Sequence, residues 1–92
     1  MQNMPEDKKT EERIEKDILK FYESVDEYKA LQGSLGAREN EIAELSEMYA
    51  SDAKSYLKKG DLYTAFSCIS YAHGLLDALK ALKKRAGAAS YQ

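Results

Sequence analysis

The chain has 92 residues, 43% of them hydrophobic, and a formal net charge of −2 at pH 7. This length suffices for one compact core that buries roughly 60–65% of the unfolded surface, so we expect a single domain. One cysteine cannot form an internal disulfide, and the longest uncharged run falls short of the ~20 apolar residues of a membrane span. Composition therefore argues against a disulfide scaffold and a transmembrane protein.

The opening segment, MQNMPEDKK, lacks the basic-then-apolar order of a signal peptide, and we expect a cytoplasmic location with no membrane association. Alanine, leucine, glutamate and lysine are plentiful, which predicts an all-α protein. Periodicity is absent from both ends, so we expect a disordered tail over residues 1–9, a bundle domain over 10–85 and a frayed tail over 86–92.

The first predicted helix spans about Thr10 to Leu31. Its apolar residues alternate in steps of four and three, which is typical of a coiled-coil-like seam: Ile14, Ile18, Phe21, Val25 and Tyr28. A break around Gly33 follows, and the second helix is predicted to begin at Ser34 or just after it.

Gly60 and Asp61 predict a tight reversal between the second helix, which ends at Lys59, and a third helix from Leu62 to about Arg85. Glycine can adopt the left-handed conformation that ends a helix, and aspartate can cap the next one. Two antiparallel helices should therefore form a hairpin.

Each helix of the hairpin carries one face of helical spacing. The second helix presents Ile42, Leu45, Tyr49, Asp52 and Tyr56, and the third presents Leu62, Phe66, Ile69, His73 and Leu76. We expect these two faces to meet.

Another face of the third helix consists of small residues at helical spacing: Ser67, Ser70, Gly74, Ala78 and Ala81. Glycine inside a helix costs roughly 1 kcal/mol relative to alanine, so something should approach this groove closely. We expect the first helix to fill it and close a three-helix bundle, and the alternative is a helix from a second subunit or another protein.

A possible polar cluster comprises Asp52, Tyr71, His73 and Asp77. A buried carboxylate needs a partner, so Asp52 and His73 are candidates for contact across the hairpin, and His73 could instead pair with Asp77 one turn along its own helix. A structural network is favoured over a catalytic pair, because nothing in the pattern implies a substrate cleft.

Charge is distributed unevenly, with a net −5 over residues 1–61 and +3 over residues 62–92. The late cations form a possible basic patch of Lys80, Lys83, Lys84 and Arg85. Cations near a helix C-terminus interact favourably with the helix dipole, which is the favoured explanation, and RNA binding is the alternative.

The remaining residue types give no catalytic, cofactor or metal site. One histidine and one cysteine cannot supply a four-ligand zinc site, and the glycines form no phosphate-binding loop. Cys68 is expected to be a small buried side chain rather than a nucleophile.

The hairpin resembles the signature of an archaeal family, domain of unknown function 357. The matching residues run Tyr49-x-x-Asp52-Ala53, Tyr56-Leu57-x-x-Gly60-Asp61, Ala65-Phe66 and Ile69-x-Tyr71-Ala72-His73-Gly74-Leu75-Leu76-Asp77-Ala78. The resemblance implies a small three-helix bundle and carries no catalytic residues, because the family has no established activity.

Two other helical families share parts of this pattern. Residues 56–61 with Ala65 and Ala72 are similar to one tetratricopeptide unit, but a solenoid needs several copies. The hairpin also looks like those of higher-eukaryote and prokaryote nucleotide-binding domains. Their ribonuclease forms place an arginine shortly before a histidine, whereas residues 66–69 before His73 contain none.

Together these features predict an up-and-down three-helix bundle that acts as a protein–protein interaction module without catalytic activity, with self-association possible. The alternative is an accessory RNA- or nucleotide-associated protein that uses the basic end of the third helix.

Overall fold

The computed structural model describes residues 5–31 and 36–89, and three helices account for nearly all of them. Helix α1 spans Pro5–Ala30, α2 spans Ala37–Lys59 and α3 spans Leu62–Ala89. Within these ranges there is no strand. The prediction of an all-α protein built from three helices is confirmed.

Helix ends differ from the predicted ones mainly at the two termini. α1 begins at Pro5 rather than at Thr10, and α3 continues beyond Arg85 to Ala89. Proline suits the first position of a helix, because its missing N–H would have no partner there. α2 begins at Ala37, directly after the extended Gly36, and Ser34 lies outside the described residues.

The α2–α3 turn forms as its sequence predicts. Gly60 is left-handed, with φ of 82°, and donates its N–H to the carbonyl of Leu57, while Asp61 donates to that of Tyr56. These two bonds define a Schellman motif, which satisfies the last carbonyls of α2. Asp61 then caps α3 by accepting hydrogen bonds from the backbone N–H and the hydroxyl of Thr64, at 3.1 and 2.7 Å.

Contacts between side chains show that α1 and α3 run parallel, with α2 antiparallel to both. Residue numbers rise together along the two helices in three hydrogen bonds: His73 bonds to Asp17, Lys80 to Glu27 and Lys83 to Tyr28. α3 contacts both other helices more extensively than they contact each other. The bundle is therefore an up-down-up arrangement in which α3 is the central helix.

The core combines large side chains from α1 with many small ones from the hairpin. The whole predicted seam of α1 is buried, so that prediction is confirmed. From the hairpin the buried residues are Ser46, Ala50 and Ala53 of α2, with Ala65, Ile69, Ala72, Leu76 and Leu79 of α3. The buried hydroxyl of Ser46 donates to the carbonyl of Ala43 at 2.7 Å, so its polar atom is satisfied.

The predicted inner face of α2 is correct only in part, because Tyr49 and Tyr56 are half-buried against the core whereas its other residues are exposed. Ile42 and Leu45 are 37% and 38% exposed, and Asp52 is exposed. On α3 the prediction holds for Ile69 and Leu76, whereas Phe66 is 44% exposed. Small residues let the α2 and α3 backbones approach closely, and Ile42 and Leu45 lie beside this contact rather than in it.

No described helix has both the length and the apolar character required to cross a bilayer.

Candidate interaction surface

The α2–α3 hairpin has two flanks, and α1 covers one of them. On that flank the Nε2 of His73 donates to the backbone carbonyl of Asp17 at 2.7 Å, and the ammonium of Lys54 lies 4.4 Å from the ring centre of Tyr22. The rings of Tyr49 and Tyr71 meet at a centroid distance of 4.6 Å. Helical geometry places both tyrosines on the flank that faces away from α1.

Apolar side chains extend along this second flank on both sides of the tyrosine pair. We call this surface the open face and define it by Ile42, Leu45, Met48 and Tyr49 of α2, with Tyr71, Leu75 and Leu82 of α3. Met48 is 63% exposed, and Tyr71 and Leu82 are each 51% exposed. One turn from the tyrosine pair, Leu45 and Leu75 lie at the same level, because the two helices are antiparallel.

The open face contains the most regular hydrophobic pattern of α2. An amphipathic helix normally turns its apolar stripe toward the core. Here the core side is occupied by Ala50 and Ala53, both fully buried, while Leu45 remains partly in solvent. Within the described chain, α2 thus leaves Ile42, Leu45 and Met48 exposed, whereas Tyr49 is half-buried against the core.

The predicted polar cluster does not assemble around His73. Its Nε2 is bonded to the carbonyl of Asp17, and its ring lies edge-on to Phe21 with centroids 5.6 Å apart. Asp52 and Asp77 are exposed, and the ring of Tyr71 packs on Tyr49. The Asp52–His73 contact is therefore wrong, because the histidine lies on the α1 flank and the aspartate on the other.

The predicted groove of small residues is not filled by α1. Ser67, Ser70, Gly74, Ala78 and Ala81 are all exposed. A Cβ atom built on Gly74 would meet nothing within 4 Å. This expectation was wrong because α1 packs on another side of α3, next to His73 and Lys80.

The four residues of the predicted basic patch divide into two pairs. Lys80 forms a 2.7 Å ion pair with Glu27, and Lys83 donates to the carbonyl of Tyr28 at 3.2 Å while lying over its ring. Lys84 and Arg85 are exposed. Half of the patch therefore attaches the C-terminal end of α1 to α3.

Cys68 has the environment of a thiol that stays protonated. It is half-buried, and burial raises its pKa, with the negative charges of Asp52 and Asp61 acting in the same direction. A raised pKa lowers the thiolate fraction on which nucleophilic attack depends. Across the described residues, no three histidine, cysteine, aspartate or glutamate side chains lie close enough together to hold a metal ion.

A cleft of about 400 Å³ lies where the N-terminal ends of α1 and α3 meet. It is lined by Asp7, Thr10, Arg13, Leu62, Tyr63 and Phe66. Tyr63 is 84% exposed, so this aromatic end of the molecule also lies in solvent.

The fold and surface define a small three-helix protein whose hairpin exposes an apolar flank. The sequence matches the family model described as "Protein of unknown function (DUF357)" over residues 16–84, which is most of the chain and covers all of α2 and most of α1 and α3. The chain belongs to this family, as the hairpin signature predicts. No curated protein gave a significant match.

Proposed function

We propose that this protein is a cytoplasmic protein–protein interaction module without catalytic activity, and that the open face is its binding surface. The observation that carries the proposal is the uncovered apolar stripe of α2, with Ile42, Leu45 and Met48 between 37% and 63% exposed. Contiguous exposed apolar surface on a small protein typically marks an interaction site.

The chemistry of the other reactive side chains supports a non-catalytic role. Nε2 of His73 is bonded to a backbone carbonyl of α1, and the pKa of Cys68 is raised. A general base or nucleophile needs a free lone pair or thiolate directed at a substrate. The raised pKa disfavours attack by Cys68, and neither His73 nor Cys68 lines the cleft between the N-terminal ends of α1 and α3.

Nucleic-acid binding receives less support, because Lys80 and Lys83 are engaged with α1. The two exposed cations that remain, Lys84 and Arg85, form a narrow footprint compared with the basic surfaces of nucleic-acid-binding proteins.

Affinity capture with a matched pair of variants tests the proposal. Met48→Glu places a charge on the open face, whereas Leu19→Glu makes the same change on α1, where the side chain is 65% exposed. Proteins that bind the open face should be retained by the wild type and by Leu19→Glu and lost from Met48→Glu. Capture that is equal for all three would contradict the proposal.

A further inference from the structure

The open-face side of α2 carries opposite charges at equal distances from Leu45. Arg38 lies seven residues before Leu45 and Asp52 lies seven residues after it, and both are exposed. Seven residues are close to two helical turns, about 10 Å, so both charges project from the same side as Leu45. The ion pair formed among the described residues, Lys80 with Glu27, involves neither of them.

Between these charges most of the side chains on the side of Leu45 are apolar, and the exception is the exposed Glu41, four residues before Leu45. Ile42 lies three residues before Leu45, and Met48 and Tyr49 lie three and four residues after it. Read in either direction from Leu45, the stripe therefore presents an apolar residue within one turn and a charge after two turns. The charge at one end is positive and at the other negative.

We infer that the open face binds a second copy of this chain, with α2 antiparallel to α2 of the other copy and the two-fold axis at Leu45. A two-fold axis there brings Arg38 of each copy opposite Asp52 of the other, and so forms two ion pairs around an apolar centre. Self-complementarity of this kind is what an isologous dimer requires. The inference rests on the proposed function, because it names the partner of the same surface.

The α3 half of the open face is compatible with this axis. Leu75 lies at the level of Leu45, so the axis also brings the α3 helices together near Leu75. The neighbouring side chains there, Tyr71 and Leu82, are uncharged and half-exposed. No like charges are brought together on this side, and the pairing buries apolar surface from both helices of the hairpin.

Charge-swap variants test the axis directly, with association measured by sedimentation equilibrium against the 10.4 kDa monomer mass. Arg38→Glu alone places glutamate opposite Asp52, and Asp52→Lys alone places lysine opposite Arg38, so each should weaken self-association about tenfold or more. An equimolar mixture of the two variants restores both opposite-charge pairs. We expect the mixture to form a heterodimer and the double variant in one chain to form a homodimer.

Several outcomes would overturn the inference. The wild type could stay monomeric at all concentrations, or the single variants could associate as strongly as the wild type. A mixture that associates no more strongly than its separate components would also contradict the inference. Met48→Glu should abolish self-association and Leu19→Glu should leave it unchanged, and far-UV circular dichroism checks that both remain helical.

Failure of the self-association can be distinguished from failure of the proposed function. A monomeric wild type that still captures another protein through Met48 would overturn the second copy as partner while retaining the open face as a binding surface. If the wild type is monomeric and Met48→Glu captures the same proteins as the wild type, both the self-association and the proposed function are overturned.

Discussion

The ring of His73 on α3 donates from Nε2 to the backbone carbonyl of Asp17 on α1, at 2.7 Å. Because a carbonyl oxygen can only accept, this contact fixes the proton on Nε2 whenever the imidazole is neutral. The ring also packs edge-on against the fully buried Phe21. One polar side chain thus fixes the position of α1 along α3 in the middle of the bundle.

Removing this contact should destabilise the bundle. His73→Leu loses the donor, and we expect a loss of about 0.5–1.5 kcal/mol in the free energy of unfolding, the usual net value of one hydrogen bond. His73→Gln keeps an N–H donor and should lose less. Urea unfolding of both variants provides the comparison, and equal stability of the two would show that the hydrogen bond contributes nothing.

A second prediction concerns the turn between α2 and α3. Asp61→Ala removes the cap of α3, and we expect the melting temperature to fall by on the order of 5 °C. Gly60→Val should also lower it, because a β-branched residue resists the positive φ observed there. Thermal melts followed by circular dichroism measure both, and melting temperatures equal to that of the wild type would show that the cap and the left-handed glycine do not stabilise the turn.

Replacing Gly74 by alanine should raise the stability of the protein, whereas the changes at the turn should lower it. Its Cβ position is open and its φ is not in the left-handed region, so Gly74→Ala is expected to stabilise the chain by about 0.5–1 kcal/mol through reduced backbone entropy in the unfolded state. Ala72→Leu, two residues earlier at a fully buried position, should instead destabilise it by about 1–3 kcal/mol through overpacking. Destabilisation by Gly74→Ala in dilute solution would mean that another part of the chain fills this groove.

Two exposed carboxylates predict how stability changes with pH. The pKa of Glu27 is lowered by its hydrogen bond to Lys80 and by that residue's charge, and the pKa of Asp61 is lowered by the hydroxyl and N–H of Thr64. Because both folded pKa values lie below the unfolded ones, the stabilisation is fully present above the ordinary values of 4.5 and 3.8 and is lost as pH falls through the folded values.

The measurement is the urea midpoint as a function of pH, for the wild type and for the Glu27→Gln/Asp61→Asn double variant. The double variant should lose less stability on acidification than the wild type does. Parallel curves for the two proteins would show that these carboxylates are not responsible for the acid sensitivity.

Sequence periodicity predicted the core of α1 completely and that of α2 only in part, for one physical reason. Apolar patterns are dominated by large side chains, and in α1 the large side chains are the buried ones. In α2 the buried positions hold Ser46, Ala50 and Ala53, whose small size permits close packing but gives little hydrophobic signal. The larger residues Ile42 and Leu45 therefore determined the predicted face, although they lie on the open one.

Contacts between residues that are close in sequence were more predictable than contacts between different helices. The Schellman turn and the Asp61 cap were readable because each depends on residues that are adjacent in sequence. The partner of His73 was not, because it is a backbone carbonyl of α1 and every residue has one. The ion pair of Lys80 with Glu27 was missed for a related reason, since many carboxylates were available in the first half of the chain.

The central position of α3 has a consequence for the order of assembly. α2 and α3 meet through a turn at two adjacent residues, whereas the bonds that attach α1 to α3 join residues 53 to 56 positions apart. Closing a long loop costs more chain entropy than closing a tight turn, so we expect the hairpin to form before α1 docks. In the native protein, α1 should correspondingly detach as a cooperative unit, with its amide protons exchanging with solvent ahead of those in the middle of α3.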